Sequence, residues 1–408
     1  MTTPDAETDR ASRQQSGMRG SSQTGVRLYN ERLVLSLVRT HGSLPKAEIA
    51  RLTGLSPQTV SVIVRQLEQE GFLRKGESQK GKVGQPLQPF SLSPEGTFSI
   101  GLKVGRRSGD LVLVGLDGVA RKTVHHPYHF PTPEEFMRFA RLGIDELLAD
   151  LSPSQRKRIS GMGVAAPFDI WKWEEEAGAT PEVLEAWKRF DLTAELAAMC
   201  EWPVIPCNDA TAACAAELLL GRGRQFRDFA YFYVGYFIGG GVVLNGHVFN
   251  GPKGNAGAFA SIPVQRTSGG TEQLVRSASL YLLERQLRDE GRDSFMLWQN
   301  ENDWSRIAIA VERWVDTAAR GIAQAAAAIA AVIDPAAIII DGAMPPHVRA
   351  QLVAAVRSHM ARVNTDGISP FAISEGTIGI QARALGAASL PLFANFMVDR
   401  DVLLKEEH

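Results

Sequence analysis

The stretch 204–264, VIPCNDATAACAAELLLGRGRQFRDFAYFYVGYFIGGGVVLNGHVFNGPKGNAGAFASIPV, constrains the fold more than any other part of the chain. Residues 204–207 form a short apolar run, Asn208-Asp209 follow, and 210–220 has high helix propensity before Gly221, so the order is strand, turn, helix. An amide and a carboxylate at a strand end, just ahead of a helix, sit where open α/β sheets bind ligands, and both side chains suit hydroxyl groups. A helix cap is the plainer role for either residue. Residues 229–234 and 242–244 are β-rich runs around Gly239-Gly240-Gly241, which predicts a glycine-bearing hairpin, and Asn245-Gly246 adds a type I′ turn signal before 247–249.

The N-terminal quarter has a different character. Residues 1–24 are polar and read as a disordered tail. Residues 25–92 hold ten Lys or Arg against five Glu, a local basic excess hidden by the overall net charge of −1. Leu33, Val34, Leu37 and Val38 recur at helical spacing up to His41-Gly42, and a second helix starts near Pro45 and closes at Gly54. Ser56 is a good N-cap and Pro57 fits the first turn. Val60, Ile63, Val64 and Leu67 then make an apolar stripe, with Gln58, Thr59, Ser61 and Arg65 on the other face. Polar faces usually meet only water, but early in the third helix of such a trio they reach base edges in the major groove, where Gln reads adenine and Arg guanine. Residues 72–75 and 87–92 predict two strands around a glycine loop carrying Lys80 and Lys82, a wing placed against phosphates.

Residues 99–104 and 110–116 with Asp117-Gly118 predict a hairpin that opens a second domain, and 133–151 followed by 159–165 predicts a helix leading into a buried strand. The segment 169–187 is unusual in holding Trp171, Trp173 and Trp187 with Glu174-Glu175-Glu176, a composition equally suited to stacking on a sugar and to packing a domain edge. Farther on, 277–287 and the alanine-rich 307–333 carry helical patterns, and Ile338-Ile339-Ile340-Asp341-Gly342 reads as a buried strand with a turn.

In sequence order, NDATAACAAE, GYFIGGGVVLNGHVFNG and NAGAFASIPV resemble the ROK family of sugar kinases and sugar-responsive repressors, and the resemblance covers most of the chain. It implies an α/β, actin/hexokinase-like, two-lobed ATPase fold with RNase H-like lobes, preceded by a winged helix-turn-helix DNA-binding domain. The implied domains are 25–93 for the winged helix, 97–215 for a first lobe completed by about 377–398, and 216–376 for a second lobe. Asp209 matches the family's catalytic aspartate and Asn208 its sugar-binding neighbour. Where the family has D-x-G-x-T, Lys103 stands for the aspartate, followed by Val104, Gly105, Arg106 and Arg107, and a lysine cannot ligate magnesium. Tyr236 and Phe237 replace a threonine and a glycine of the phosphate turn, and side chains of that size oppose close backbone approach. Ala258 and Ser261 replace the glutamate and histidine of the sugar motif, and 265–274 lacks the cysteines of the family's zinc segment. Gln85 stands in a G-Q-P where the family commonly has G-R-P; as a wing contact it offers hydrogen bonds but releases no counterion.

The expectation is a sugar-responsive transcriptional regulator, a repressor of sugar uptake or catabolism genes, acting as a homodimer or higher homo-oligomer with duplex DNA and a sugar or sugar derivative as partners. Its cleft is expected to be non-catalytic on Asn208 and Asp209, with no zinc and no ATP or magnesium. The competing expectation is an active sugar kinase that also binds DNA, with Asp209 as base. Three cysteines, Cys200, Cys207 and Cys214, fit neither a disulfide framework nor a zinc spacing. With a polar start and an apolar stretch 321–340 broken by Gln324, Asp334 and Pro335, the chain is expected in the cytoplasm.

Overall fold

The computed structural model describes residues 23–77, 88–167, 179–299 and 303–398. They fall into two units, one holding the chain up to Gly96 together with residues from Leu392 onward, the other Thr97–Pro391.

The smaller unit runs α1 (Gln23–His41), β1 (Leu44–Pro45), α2 (Lys46–Thr53), α3 (Pro57–Gln69), β2 (Leu73–Lys75) and β3 (Pro89–Leu92). Gly54 takes a left-handed φ of 72° and ends α2, and the Ser56 side chain accepts from Thr59 N at 3.1 Å to start α3, so a turn too short to slip joins the two helices. Val60, Ile63, Val64 and Leu67 are buried together with Val34, Val38 and Ile49 of the preceding helices. Each such side chain contributes about 1.5–3 kcal/mol on leaving water, enough to fix which face of α3 points inward. β3 is the middle strand, antiparallel to both β1 and β2, which is the sheet of a winged helix. Lys80, Lys82 and Gln85 lie outside the described residues.

The larger unit begins with β4 (Phe98–Val104), β5 (Ser108–Gly115), β6 (Ala120–Pro127), α4 (Pro133–Leu148), α5 (Pro153–Arg156), β7 (Ile159–Ala166), α6 (Pro181–Arg189), α7 (Leu192–Met199) and β8 (Val204–Asn208). It continues through α8 (Asp209–Leu220), β9 (Phe229–Val234), β10 (Ile238–Leu244), β11 (His247–Phe249), β12 (Pro263–Gln265), β13 (Thr271–Gln273), α9 (Val275–Ala278) and α10 (Leu280–Asp289). It closes with α11 (Ala308–Ile333), β14 (Ala337–Gly342), α12 (Pro346–Met360), β15 (Ala372–Glu375) and the first part of α13 (Ala382–Phe396), whose residues from Leu392 onward belong to the smaller unit.

Two five-stranded sheets repeat one plan. In the order β6-β5-β4-β7-β8 and in the order β11-β10-β9-β14-β15, an antiparallel meander of three strands is extended by two parallel strands. Parallel neighbours require crossovers, and the helices α4 and α11 precede β7 and β14 in the chain. The core of the second sheet is aromatic, with Phe229, Tyr231, Phe232 and Tyr233 buried in consecutive alternation across both faces. Among the described residues, no helix is long and apolar enough to cross a membrane.

Three sequence expectations change. Gly239, Gly240 and Gly241 do not turn the hairpin: they lie inside β10, opposite Tyr233, Phe232 and Tyr231, and the turn is Gly235-Tyr236-Phe237. The reason is close packing, since a Cβ on Gly241 would stand 2.5 Å from the Cβ of Cys214 in α8, and one on Gly240 would meet the Phe259 ring at 2.1 Å. The helical pattern at 277–287 breaks into α9 and α10, because Ser279 is extended with ψ of 152°. The segment 377–398, expected to complete the first lobe, is shared out: α13 places Ala387 against Ala165 and Ala212 in the larger unit, whereas Phe396, 5.1 Å from Phe72, and Met397 pack in the smaller one. Val398 N also donates to Ser36 Oγ at 3.1 Å there. The type I′ turn forms as its residues require, with φ of 56° at Asn245 and 76° at Gly246.

Candidate effector cleft and DNA-facing helix

On α3, Gln58 and Arg65 are exposed, and Thr59 and Ser61 are half-buried. Thr59 is partly engaged at the start of the helix, where its hydroxyl lies 2.9 Å from that of Ser56. Arg27 of α1 bonds both Glu31 at 2.9 Å and Gln66 at 2.5 Å, which ties the back of α3 to α1. The polar face therefore begins at a fixed helix N-terminus, on a scaffold whose opposite face is closed by apolar packing.

In the larger unit, the ends of β4, β8 and β10 and the start of α13 surround a cavity of about 320 Å³. Its walls include Gly105, Arg106, Asn208, Asp209, Tyr233, Phe237, Asn255, Ala258, Ser261 and Arg383. Asn208 and Asp209, adjacent in sequence, have divided their tasks. The Asn208 Oδ1 accepts from Ala210 N at 3.1 Å and Thr211 N at 3.2 Å, so Asn208 is the N-cap of α8. Asp209 is the first helical residue, and its Oδ2 accepts from Arg383 Nη1 at 3.2 Å.

Arg383 is buried against the Tyr233 ring, 4.8 Å from its centroid, and burial is outweighed by Tyr233, Asp209 and Asp110, which hold its pKa above the ordinary value. Arg106 stands across the cleft, 4.5 Å above the Phe237 ring, where burial lowers its pKa to about 10 against the pull of Asp209. Both remain cations at neutral pH.

The residues at the positions where the resemblance implies a phosphate turn are engaged with other side chains. Tyr236 and Phe237 pack on each other and on Tyr281. Arg107 covers the Tyr236 ring at 4.4 Å, donates to its hydroxyl at 3.0 Å and grips Glu284 with bonds of 2.8 and 3.0 Å. Trp298 Nε1 and Arg288 Nη2 also donate to Glu284, each at 2.7 Å. Ile238 N is taken by Ser279 Oγ at 3.0 Å. The turn Gly235-Tyr236-Phe237 is thus filled by aromatic rings and backed by a buried ion pair. Lys103 is not among the residues lining the cavity, and its Nζ bonds Asp110 Oδ2 at 2.7 Å and Ser108 Oγ at 2.6 Å. Burial pushes the Lys103 ammonium down to about 8, opposed by Asp110. Burial also acts to raise the Asp110 pKa, but Lys103 and a bond to His125 Nδ1 hold it well below the usual carboxylate range, and His125 is raised in return.

Trp187 resolves as a core residue, 2% exposed, with its indole N–H donating to Pro131 O at 2.8 Å. Trp171, Trp173 and Glu174-Glu175-Glu176 lie outside the described residues. The three cysteines are free thiols, and burial pushes Cys207 up to about 11. Sequence reasoning missed Arg383 as a cleft residue, since nothing local distinguishes it in a helix of small residues. Arg106 was visible beside Gly105 but had no assigned role.

A winged helix carrying a polar α3 face, continued by two sheets of RNase H-like plan, defines a DNA-binding regulator built on a hexokinase-like body. Residues 99–392 match the model of the ROK family and residues 27–74 that of a winged helix-turn-helix DNA-binding domain; the chain belongs to the ROK family, among its transcriptional regulators. Uncharacterized protein y4fQ of Sinorhizobium fredii is 27% identical over 378 residues, 90% of this chain and 91% of that protein. The xylose repressor of Bacillus spizizenii is 24% identical over 245 residues, 60% of this chain and 62% of the repressor. A solved ROK family transcriptional regulator, a homologue of the Escherichia coli MLC protein, shares the fold with a TM-score of 0.64 at 18% identity, over 93% of this chain and 98% of its own.

Proposed function

We propose that this chain represses genes of sugar uptake or catabolism, binding its operator as a homodimer or higher homo-oligomer and sensing a sugar or sugar derivative in a cleft that does not phosphorylate it. Gln58, Thr59, Ser61 and Arg65 read base edges, while Lys80, Lys82 and Gln85, outside the described residues, meet the DNA backbone. Asn208 and Asp209 present the polar end of the cleft to ligand hydroxyls. The reading is supported by relatives named as sugar repressors, the xylose repressor among them.

The observation that carries the non-catalytic part is the plugged turn, where Tyr236 and Phe237 fill the place of a phosphate cradle and Arg107-Glu284 pins them. Phosphoryl transfer is nearly all positioning and charge stabilisation, so a closed cradle and a lysine in place of a metal-ligating aspartate remove most of its rate. The kinase reading retains Asp209 as base, but one of its oxygens already accepts from Arg383. The test is ATP turnover with a panel of hexoses, pentoses and amino sugars, alongside operator binding by the same preparation. Operator binding without turnover is expected; turnover of any sugar at about 1 per second or faster overturns it.

A further inference from the structure

This inference rests on the effector reading above and names the chemistry of that effector. Among the described residues that line the cavity, the charged ones are Arg106, Asp209 and Arg383, two cations against one anion. Both guanidiniums belong to residues that are 8% exposed, so water does little to screen the surplus charge. Arg383 spends Nη1 on Asp209, yet its Nε is buried without a hydrogen-bond partner. A donor left in that condition costs free energy that a ligand acceptor can recover. Arg106 lies over the Phe237 ring at 4.5 Å and Arg383 over the Tyr233 ring at 4.8 Å, and a guanidinium held against an aromatic face suits the two-pronged recognition of a planar or tetrahedral oxyanion. On the remaining wall, the positions resembling the sugar motif present Ala258 and Ser261, which supply a methyl group and one hydroxyl. The cleft has little with which to surround a neutral ring and much with which to hold an anion.

We propose that the effector is a polyhydroxylated anion, a sugar acid or a sugar phosphate, whose negative group is received by Arg106 and Arg383 while Asn255, Ser261 and Asp209 meet its hydroxyls. On binding, Arg383 moves part of its bonding from Asp209 to the ligand, and no covalent step is involved.

The test uses the full chain with three sets of probes: gluconate and glucuronate, glucose 6-phosphate and xylose 5-phosphate, and neutral glucose and xylose. Calorimetry and thermal shift report affinity, the shift arising because a ligand of the native state stabilises it by mass action. At least one anionic set is expected to bind about tenfold or more tightly than its neutral counterpart, with affinity falling as salt is raised. The set that binds tells a carboxylate from a phosphate. Arg383→Gln and Arg106→Gln are each expected to reduce the ratio of anion to neutral affinity, which mere loss of packing would not do. Asp209→Asn should weaken both kinds of ligand without lowering that ratio. A neutral sugar bound as tightly as its anion, or an unchanged ratio in both arginine variants, overturns the inference and leaves the effector reading standing. Failure of every probe to bind a preparation that still binds DNA overturns both.

Discussion

The winged helix and the cleft differ in how far along the chain their partners lie. In the first, Ser56 meets Thr59 and a stripe from Val60 to Leu67 fixes the outward face of α3 within a dozen residues. In the second, Asp209 meets Arg383 across 174 positions and Arg107 meets Glu284 across 177. Contacts of the first kind form once a few turns of helix exist. Those of the second kind appear only after both sheets are assembled, and their chain-closure entropy has been met by the cores of those sheets rather than by the polar groups themselves. Cleft chemistry is therefore a dependant of the fold, while the outward face of α3 is specified within α3 itself, even though Ser36 and Phe72 of the same unit take partners from the far end of the chain.

The largest expected effect probes the distant side. Arg107→Ala removes one partner of a pair whose side chains are 7% and 5% exposed, and leaves the Glu284 carboxylate buried. Breaking such pairs costs about 3–5 kcal/mol, and the lower end applies because Arg288 and Trp298 still donate to Glu284. Replacing both partners, Arg107→Met with Glu284→Leu, should cost less, as an apolar pair leaves no stranded charge and the remaining penalty is that of the Trp298 indole N–H losing its acceptor. Denaturant titration followed by tryptophan fluorescence decides it. A double variant as unstable as Arg107→Ala would mean that packing around the turn, not the charge pair, holds the plug.

The same contrast explains what could be read from the residues. Pro57, the α3 stripe and the Asn245-Gly246 turn declared themselves because each rests on a preference expressed within four to eight residues. The two-lobed plan was reached only through the resemblance of the motifs around Asn208-Asp209, Gly239 to Gly241 and Asn255 to Ser261 to the ROK family, since the local pattern there marks no more than a strand end before a helix. Gly239 to Gly241 misled because a glycine run signals a turn as readily as it signals a close approach, and only α8 lying across β10 decides between them. Arg383 carried no signal, since its meaning depends on Asp209, Tyr233 and the packing of Ala387, all distant in sequence. The role of Lys103 was half legible: the loss of a metal ligand shows in the residue type, but its burial on Asp110 does not.

A smaller effect probes the local side. Arg65→Ala should cost about 1–3 kcal/mol in operator affinity if the guanidinium reads a guanine, with little change in binding to unrelated duplexes. Because Arg65 is exposed and lies on the face opposite the buried stripe, protein stability should stay within about 0.5 kcal/mol. Titration of operator and random DNA at matched salt checks both halves. Equal losses on the two duplexes would reduce Arg65 to a phosphate contact, and the local region would then position the protein without specifying sequence.

The smallest effect falls where the two regimes meet, in neighbouring residues with unlike partners. Asn208 serves its own helix, accepting from the N–H groups of Ala210 and Thr211, whereas Asp209 serves a residue of α13. Asn208→Ala should therefore cost about 1 kcal/mol of stability, the usual loss of an N-cap, while Asn208→Asp keeps an acceptor at the cap and should cost less. Asp209→Asn leaves that cap untouched and retains an oxygen for Arg383, so any stability change should be smaller than that of Asn208→Ala. Its consequence should appear instead in ligand response, because an uncharged amide no longer balances the two cleft arginines. Urea unfolding together with effector-dependent operator titration separates the two outcomes. Equal stability losses in Asn208→Ala and Asp209→Asn, with ligand response intact in the latter, would make both residues parts of one helix start and remove Asp209 from the cleft's chemistry.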